Sequence, residues 1–387
     1  MREHIPYGRQ HIDDSDVETV VSVLRSDWLT QGPAVDKFEV ALAEFCGAKY
    51  AVAVSNATAA LHLSCLALGL KTGDNLWTSP NTFVASANCA LYCGAGVDFV
   101  DIDPVSYNMS ASVLKEKLAK AKKDSRLPAV LVPVHHSGQS CDMEEISRIC
   151  RDYGVKVLED ASHSIGASYQ GRKVGDCQHS DLCVFSFHPV KIMTTGEGGA
   201  ITTNDKLLYE KLLRLRSHGI TRDPSMMKDA PHGPWYYAQI DLGYNYRLTD
   251  LQAALGTNQL KKVDGFVDRR HEIADRYDRE LAALPLQLPV REKGSRSALH
   301  LYVVRLRKNA HVSHLELFQK LRAAEIGVNL HYIPVYLQPY YQAMGFKAGH
   351  CPEAEKYYAE AVSLPMYFGL TPTSQDRVIR TLREILS

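Results

Sequence analysis

The chain of 387 residues lacks both a net charge and any long apolar run. Lysine plus arginine (44) equals aspartate plus glutamate (44), so the protein has no overall field that attracts nucleic acid or an anionic membrane. Nowhere do eighteen apolar residues follow one another, and residues 1–6 contain no apolar core of a signal peptide. We therefore expect no nucleic-acid partner and no membrane partner, and we expect a cytoplasmic protein.

The nine cysteines include no C-x-x-C pair, which argues against disulfides and zinc sites. Most lie in apolar stretches, and we expect them to be reduced core thiols. The adjacent pair His135 and His136 is the most suggestive metal motif, but neighbouring strand residues point to opposite faces, so we expect no metal. The glycine-rich turn at 196–199 lacks the lysine and the spacing of a nucleotide-hydrolysing loop.

Short apolar runs alternate with helical patterns through the first two thirds of the chain. The predicted strands are 50–54, 75–78, 97–100, 129–134, 155–158 and 182–185, and helical patterns lie at 58–68, 83–92 and 143–153. This alternation predicts βαβ units, a largely parallel sheet and the α/β class.

A different order of elements follows. It comprises strands at 300–306 and 328–331 and helices at 315–325, 353–362 and 374–386. We therefore predict a large α/β domain at 1–250 and a smaller α+β domain at 251–387.

Two charged residues follow predicted strand ends. Asp160 comes just after the run at 155–158, and Lys191 comes five residues after Ser186, where the run at 182–185 ends. The carboxyl ends of parallel strands are where open α/β sheets bind ligands. A lysine there can bind a carbonyl cofactor covalently, and a carboxylate can hold a pyridinium nitrogen protonated. Taken singly, each has a simpler interpretation, a solvated lysine and a helix cap.

Together these residues resemble those of fold-type-I pyridoxal-phosphate enzymes, in particular the DegT/DnrJ/EryC1/StrS family of sugar aminotransferases. The resemblance runs from about Tyr7 to the C-terminus. It implies a mainly parallel seven-stranded sheet domain with a smaller C-terminal domain, and pyridoxal 5'-phosphate as cofactor. It also implies that Lys191 is the catalytic residue that binds the cofactor and that Asp160 pairs with the pyridine nitrogen.

The same resemblance implies roles for further cofactor-binding residues. Ala57, Thr58 and Ser186 would hold the phosphate, Phe83 would stack on the ring, His163 would lie near the phenolic oxygen, and Asn245 would reach the phosphate across a subunit interface. This last role implies a homodimer with shared active sites. Without the family, 55–60 would be interpreted as a helix cap, Phe83 as a core residue and His163 as a surface residue.

Segments at 28–33, 137–143 and 331–335 resemble one branch of the family, which belongs to pseudaminic-acid biosynthesis. That branch converts the C4 ketone of a UDP-linked 4-keto-6-deoxy-N-acetylhexosamine to an amine, with L-glutamate as the donor. The implied substrate-binding residues are Tyr7, Asp27, Trp28, Leu29, Thr30, His331, Tyr332, Ile333 and Pro334. One departure is the run from His135 to Ser137, where an aromatic and a small residue are expected after the first histidine.

Several alternatives stay open on the sequence. The amine could be added at C3, or to a dTDP- or GDP-sugar. An enzyme specific for amino acids would use a late arginine as a carboxylate clamp, and no such motif is recognisable. A non-enzymatic binding protein is disfavoured by the presence of Lys191, Asp160 and Ser186, and a dehydratase of this family would carry histidine in place of Lys191.

Overall fold

A computed structural model describes residues 3–387. Its strands are β1 (Tyr50–Val54), β2 (Asn75–Thr78), β3 (Gly96–Phe99), β4 (Val130–Val132), β5 (Lys156–Asp160), β6 (Ser168–Tyr169), β7 (Arg172–Lys173), β8 (Leu182–Ser186), β9 (Gly199–Thr203), β10 (Ile220–Thr221), β11 (Ala238–Gln239), β12 (Leu286–Gln287), β13 (Ser295–Arg296), β14 (Tyr302–Leu306) and β15 (Ala361–Leu364).

The α-helices surround the sheets in sequence order. They are α1 (Asp14–Leu24), α2 (Pro33–Cys46), α3 (Ala57–Ala67), α4 (Ala85–Tyr92), α5 (Ala111–Lys123), α6 (Met143–Tyr153), α7 (Lys206–Arg216), α8 (Asp250–Leu260), α9 (Val263–Leu281), α10 (His314–Ala323), α11 (Pro339–Ala343), α12 (Pro352–Glu360) and α13 (Pro372–Leu386). No helix within residues 3–387 is long and apolar enough to cross a membrane.

The main sheet has seven strands in the order β1-β9-β8-β5-β4-β2-β3. Only β9 runs against its neighbours, so the predicted mainly parallel seven-stranded sheet is confirmed. Every residue of β8 and β9 is buried, because helices cover both faces of the sheet. The six strands predicted individually for this part of the chain do not include β9. Its sequence, Gly-Ala-Ile-Thr-Thr, has too few apolar residues to give the pattern of a buried strand.

The strand order places β5 and β8, which end at Asp160 and Ser186, next to each other. In the sheet β5 lies beside β8 in parallel, with Asp160 opposite Val184. The carboxyl ends of both strands therefore meet at one edge of the sheet, and Asp160 and Ser186 terminate them there.

A second, three-stranded sheet, β12-β14-β15, packs with α9, α10 and α13 around a core of its own. Here the predicted strand at 328–331 is wrong. In that segment Asn329 forms a single bridge to Ser363, and the chain then leaves the sheet, because the Val335 amide donates to the Pro80 carbonyl (2.9 Å). The edge strand is instead β15, whose first two residues fall in the predicted helix 353–362.

The helix α8 packs against α1 and α2 beside the main sheet. The predicted domain boundary between residues 250 and 251 stays a prediction.

All nine cysteines lie within the described residues and are free thiols, and all but Cys93 are buried.

Candidate active site

A cavity of about 570 Å³ opens at the carboxyl edge of the main sheet. It lies between the ends of β5 and β8, the start of α3, and the segment at 329–333 that comes from the second sheet. Its lining includes eleven residues expected from the sequence: Tyr7, Ala57, Thr58, Phe83, Asp160, His163, Ser186, Lys191, His331, Tyr332 and Ile333. Residues distant in sequence thus meet in one place.

The carboxylate of Asp160 is buried at the floor of this cavity, 4% exposed. The Ser86 hydroxyl donates to Oδ2 at 2.6 Å, and the Ser162 amide donates to Oδ1 at 3.1 Å. A buried carboxylate is costly unless such donors compensate it. Its position and its fixed orientation suit an acceptor for a cationic N–H group in the cavity.

The Lys191 side chain is half-buried and lines the same cavity. Burial lowers the pKa of its amine to about 8, and the negative charge of Asp160 opposes that shift. Near neutral pH a substantial fraction of the amine is therefore unprotonated, which a nucleophilic lysine requires.

Helix α3 begins at the cavity wall. The Asn56 side chain caps it by accepting from the Ala59 amide (2.8 Å). The amides of Ala57 and Thr58 occupy the first two helical positions, so they have no intrahelical acceptor and are free for an anion. Across from them, Ser186 at the end of β8 completes a cradle that suits a phosphate group.

Close packing beneath this cradle depends on Gly199. The residue starts β9 and pairs with both Val54 and Ser186. A Cβ atom there would lie 2.5 Å from the carbonyl carbon of Asn56 and 2.6 Å from the amide nitrogen of Ala57. These are backbone atoms, so no side-chain rotation can relieve the clash.

We expect Gly199→Ala to destabilise the protein by about 1–3 kcal/mol and to weaken anion binding at α3, because the helix start must move. Urea unfolding would measure the loss of stability. Urea unfolding with and without added inorganic phosphate would measure anion binding, because bound phosphate stabilises the folded state. As a matched control, Gly265→Ala adds a Cβ where nothing lies within 4 Å. Equal stability of the two variants would contradict the expected clash.

Two neighbouring histidines form one wall. The ring of His163 lies 4.4 Å from that of His300, and its Nε2 is 3.2 Å from the Tyr332 hydroxyl. Burial lowers the pKa of both imidazoles well below the ordinary value, and the positive charge of Lys191 adds to this shift. Both rings are therefore neutral, and the buried Nδ1 of His163 has no partner within residues 3–387.

Six expected site residues do not line this chain's cavity. Pro334 is buried behind it, whereas Asn245 and the segment of Asp27, Trp28, Leu29 and Thr30 are exposed. Thr30 pairs with Thr249, four residues after Asn245, so these exposed residues share one surface.

The run from His135 to Ser137, which departs from the pattern expected for the family branch, does not line the cavity. His135 accepts from the Cys141 amide at Nδ1 (3.1 Å), and its Nε2 is 2.7 Å from Glu159. The Nε2 atom of His136 is 2.9 Å from the Tyr357 hydroxyl, which itself donates to the His331 carbonyl (2.7 Å). The motif thus supports the segment at His331 from behind.

Several lining residues were not singled out from the sequence. They are Thr82, Ser86, His300, Asn329 and Gln338. Ser86 carried a usable signal, since it is a hydroxyl among apolar residues of the helical pattern at 83–92, where a hydroxyl without a hydrogen-bond partner is unfavourable. The others come from elements whose approach to the sheet edge has no local signature.

Comparison with known proteins agrees with this geometry. The DegT/DnrJ/EryC1/StrS aminotransferase family matches residues 10–383. The chain belongs to this family. It is a sugar aminotransferase, as the resemblance of its motifs implied.

Relatives with named activities align over nearly their whole lengths. One is the UDP-4-amino-4,6-dideoxy-N-acetyl-beta-L-altrosamine transaminase of Campylobacter jejuni subsp. jejuni serotype O:23/36 (strain 81-176), 39% identical over 99% of this chain and 97% of that protein. Another is the GDP-perosamine synthase of Caulobacter vibrioides, 34% identical over 99% and 98%.

Solved structures share the fold. PseC of Helicobacter pylori, an aminotransferase involved in pseudaminic-acid biosynthesis, superposes with a TM-score of 0.91 at 30% identity and covers 99% of each chain. The pyridoxal-phosphate form of the putative sugar aminotransferase Spr1654 of Streptococcus pneumoniae gives 0.88 at 26% identity and covers 100% of each chain.

Pyridoxal phosphate is the cofactor of this family, and the residues present fit it. The free amides of α3 suit its phosphate, Asp160 its pyridine nitrogen and Lys191 its aldehyde carbon. The unpartnered Nδ1 of His163 supplies a further polar atom beside the cavity. The expected cofactor is thus confirmed, and the residues meet its chemical requirements.

The lowered pKa of Lys191 predicts how cofactor uptake depends on pH. With a pKa of about 8 rather than 10.5, about one amine in ten is neutral at pH 7, compared with about one in 3,000. The rate of covalent uptake by cofactor-free enzyme should rise with pH and level off above about pH 8. Stopped-flow absorbance on mixing with pyridoxal phosphate measures this, and a rate still rising at pH 10 would contradict it.

Proposed function

We propose that the enzyme transfers an amino group from L-glutamate to C4 of a UDP-linked 4-keto-6-deoxy-N-acetylhexosamine, in a pathway of the pseudaminic-acid type. The observation that carries this proposal is the 39% identity, over nearly full length, to a transaminase named for a UDP-linked 4-amino sugar. The fit to PseC over 99% of the chain supports it.

The site geometry supports the proposed roles. When bound, pyridoxal phosphate withdraws electrons from the carbon that loses its proton. Asp160 accepts from the pyridine N–H, and Ser186 with the start of α3 holds the phosphate. Lys191 moves the proton at the reacting carbon, since its lowered pKa suits both acceptance and return near neutral pH.

The sugar would lie against the segment from His331 to Ile333, with Tyr7 beside it. The Tyr7 ring lies 5.4 Å from that of His331, and both line the cavity. This wall is rigid, because His331 Nδ1 is 2.8 Å from the Ser363 hydroxyl and its carbonyl accepts from Tyr357. Burial lowers the pKa of His331 to about 3, so the wall presents a neutral imidazole to the sugar.

We also propose a homodimer whose active sites are shared. The exposed segments near Asn245 carry large apolar side chains, among them Trp28 (54% exposed) and Leu242 (79%). Burial of such a surface stabilises association. In a twofold dimer, Asn245 and the segment at 27–30 would then serve the cavity of the partner subunit.

The shared site predicts complementation between two inactive variants. Lys191→Ala and Asn245→Ala should each lose most activity, whereas their heterodimer contains one site with both residues intact. Random mixing makes half of the dimers heterodimers, so co-expression should restore about a quarter of wild-type activity per subunit. Activity that stays at the level of the separate variants would contradict sharing, and sedimentation would establish whether dimers form.

A GDP- or dTDP-linked sugar, or amination at C3, is the alternative. The 34% identity to a GDP-perosamine synthase supports a GDP-linked sugar as the alternative substrate. The sequence and the cavity are compatible with more than one nucleotide, because the residues that would bind it lie partly on the exposed surface at 27–30.

One experiment distinguishes these substrates. The enzyme and L-glutamate are incubated with each of three 4-keto-6-deoxy sugars, linked to UDP, GDP or dTDP, and with the corresponding 3-keto sugars. The products are analysed by mass spectrometry and NMR, with Lys191→Ala as the control. Amination at C4 of the UDP sugar alone is expected. Amination of another nucleotide-sugar, or at C3, with none at C4 of the UDP sugar, would overturn the proposal.

A further inference from the structure

We propose that Ser86, supported by Thr82, is a positioning residue that holds Asp160 toward the cofactor's pyridine nitrogen. The inference rests on the proposed role of Asp160. It concerns two hydroxyl side chains, that of Thr82 before α4 and that of Ser86 in its first turn, and Ser86 lies 74 residues before the carboxylate in sequence.

The direction of each hydrogen bond follows from chemistry. A carboxylate can only accept, so the Ser86 hydroxyl donates to Asp160 Oδ2 at 2.6 Å. The Thr82 hydroxyl lies 2.8 Å from the Ser86 oxygen. Since the Ser86 proton is committed to Asp160, Thr82 donates to Ser86. The chain of donors therefore runs from Thr82 through Ser86 to the charged group.

Burial makes this chain strong. Ser86 is 1% exposed, and Thr82 and Asp160 are each 4% exposed. Little of these side chains is accessible to water, and a hydrogen bond to a charged group is stronger than one between neutral groups. The Ser162 amide holds the other carboxylate oxygen, so both oxygens are fixed and the plane of the carboxylate is set.

The surroundings of Ser86 indicate that its hydroxyl is there for Asp160. Its neighbours on α4, including Ala85, Ala87, Cys89 and Ala90, are buried and apolar or weakly polar. A hydroxyl in such a position is destabilising unless it is hydrogen-bonded. Asp160 and Thr82 supply the hydrogen bonds that its oxygen makes.

The same turn also presents Phe83 to the cavity. The Ser86 amide donates to the Phe83 carbonyl at 3.3 Å, which links the two residues through the backbone. Phe83 is the proposed stacking residue for the ring face, and Ser86 acts at the nitrogen edge through Asp160. One short segment would therefore contact the face of the cofactor ring directly and its nitrogen edge through Asp160.

The test measures cofactor affinity and spectrum rather than turnover alone. Ser86→Ala should weaken pyridoxal-phosphate binding about tenfold, the loss of one hydrogen bond to a charged group. It should also shift the pH dependence of the cofactor's visible absorbance. Thr82→Val should give a smaller change in the same direction. Ser164→Ala removes a similarly buried hydroxyl, one that donates to the His135 carbonyl, and serves as the control.

A double-mutant cycle separates this inference from the proposed role of Asp160. In an Asp160→Asn background, Ser86→Ala should change affinity less than twofold, because the charge through which it acts is gone. If Asp160→Asn itself leaves binding unchanged, the role of Asp160 is wrong. If Asp160→Asn weakens binding and Ser86→Ala has no effect, or has the same effect in both backgrounds, the inference about Ser86 is overturned. Thermal unfolding checks that each variant is folded.

Discussion

Replacement of Lys191 by alanine should lower kcat for amino transfer by at least about 10³-fold, because the change removes the lysine that we propose attaches the cofactor and carries the proton. The visible absorbance of the lysine-bound cofactor should disappear from the purified protein, while pyridoxal phosphate still binds through α3 and Ser186. Steady-state assays with L-glutamate and a spectrum of the purified variant measure both effects.

A matched control is Lys206→Ala. That lysine is 72% exposed and lies 3.6 Å from Glu210 on the same helix, so its loss should leave spectrum and activity unchanged. A Lys191→Ala protein that keeps the absorbance band, or that turns over at more than about a tenth of the wild-type rate, would refute the assignment of the catalytic lysine.

The second large effect is expected for Asp160→Asn. The substitution keeps the shape of the side chain but removes the charge that we propose faces the pyridine nitrogen. Breaking a buried charged pair costs about 3–5 kcal/mol, which corresponds to about 10²–10⁴-fold in kcat if the pair is strongest in the transition state. Single-turnover kinetics with L-glutamate would show the loss in the first half of the reaction.

Folding must be separated from chemistry for this variant, since the carboxylate also accepts from Ser86 and Ser162. Asp152→Asn changes a carboxylate that is 63% exposed and is the comparison for non-specific effects. An Asp160→Asn enzyme that is folded and has wild-type kinetics would show that another group stabilises the protonated ring.

The sequence by itself determined the fold class and the central residues of the candidate site, Asp160, Ser186 and Lys191. Apolar runs separated by helical patterns predict a parallel sheet, and such a sheet collects its strand ends at one edge. Asp160 and Ser186 lie at those ends and Lys191 comes five residues after Ser186, so the sequence alone predicts that the three residues lie close together. The family resemblance added Ala57, Thr58, Phe83, His163 and the segment from Tyr332 to Ile333, all of which line the cavity.

Only the tertiary structure decided contacts between elements far apart in the chain. The strand β15 could not be separated from the end of helix α12 by pattern, because its pairing with β14 is non-local. Ser86 contacts Asp160, and His300 lies against His163, because α4 and the second sheet pack against the sheet edge. Periodicity reports which face of an element is buried, but it does not report which side chain of another element that face will meet.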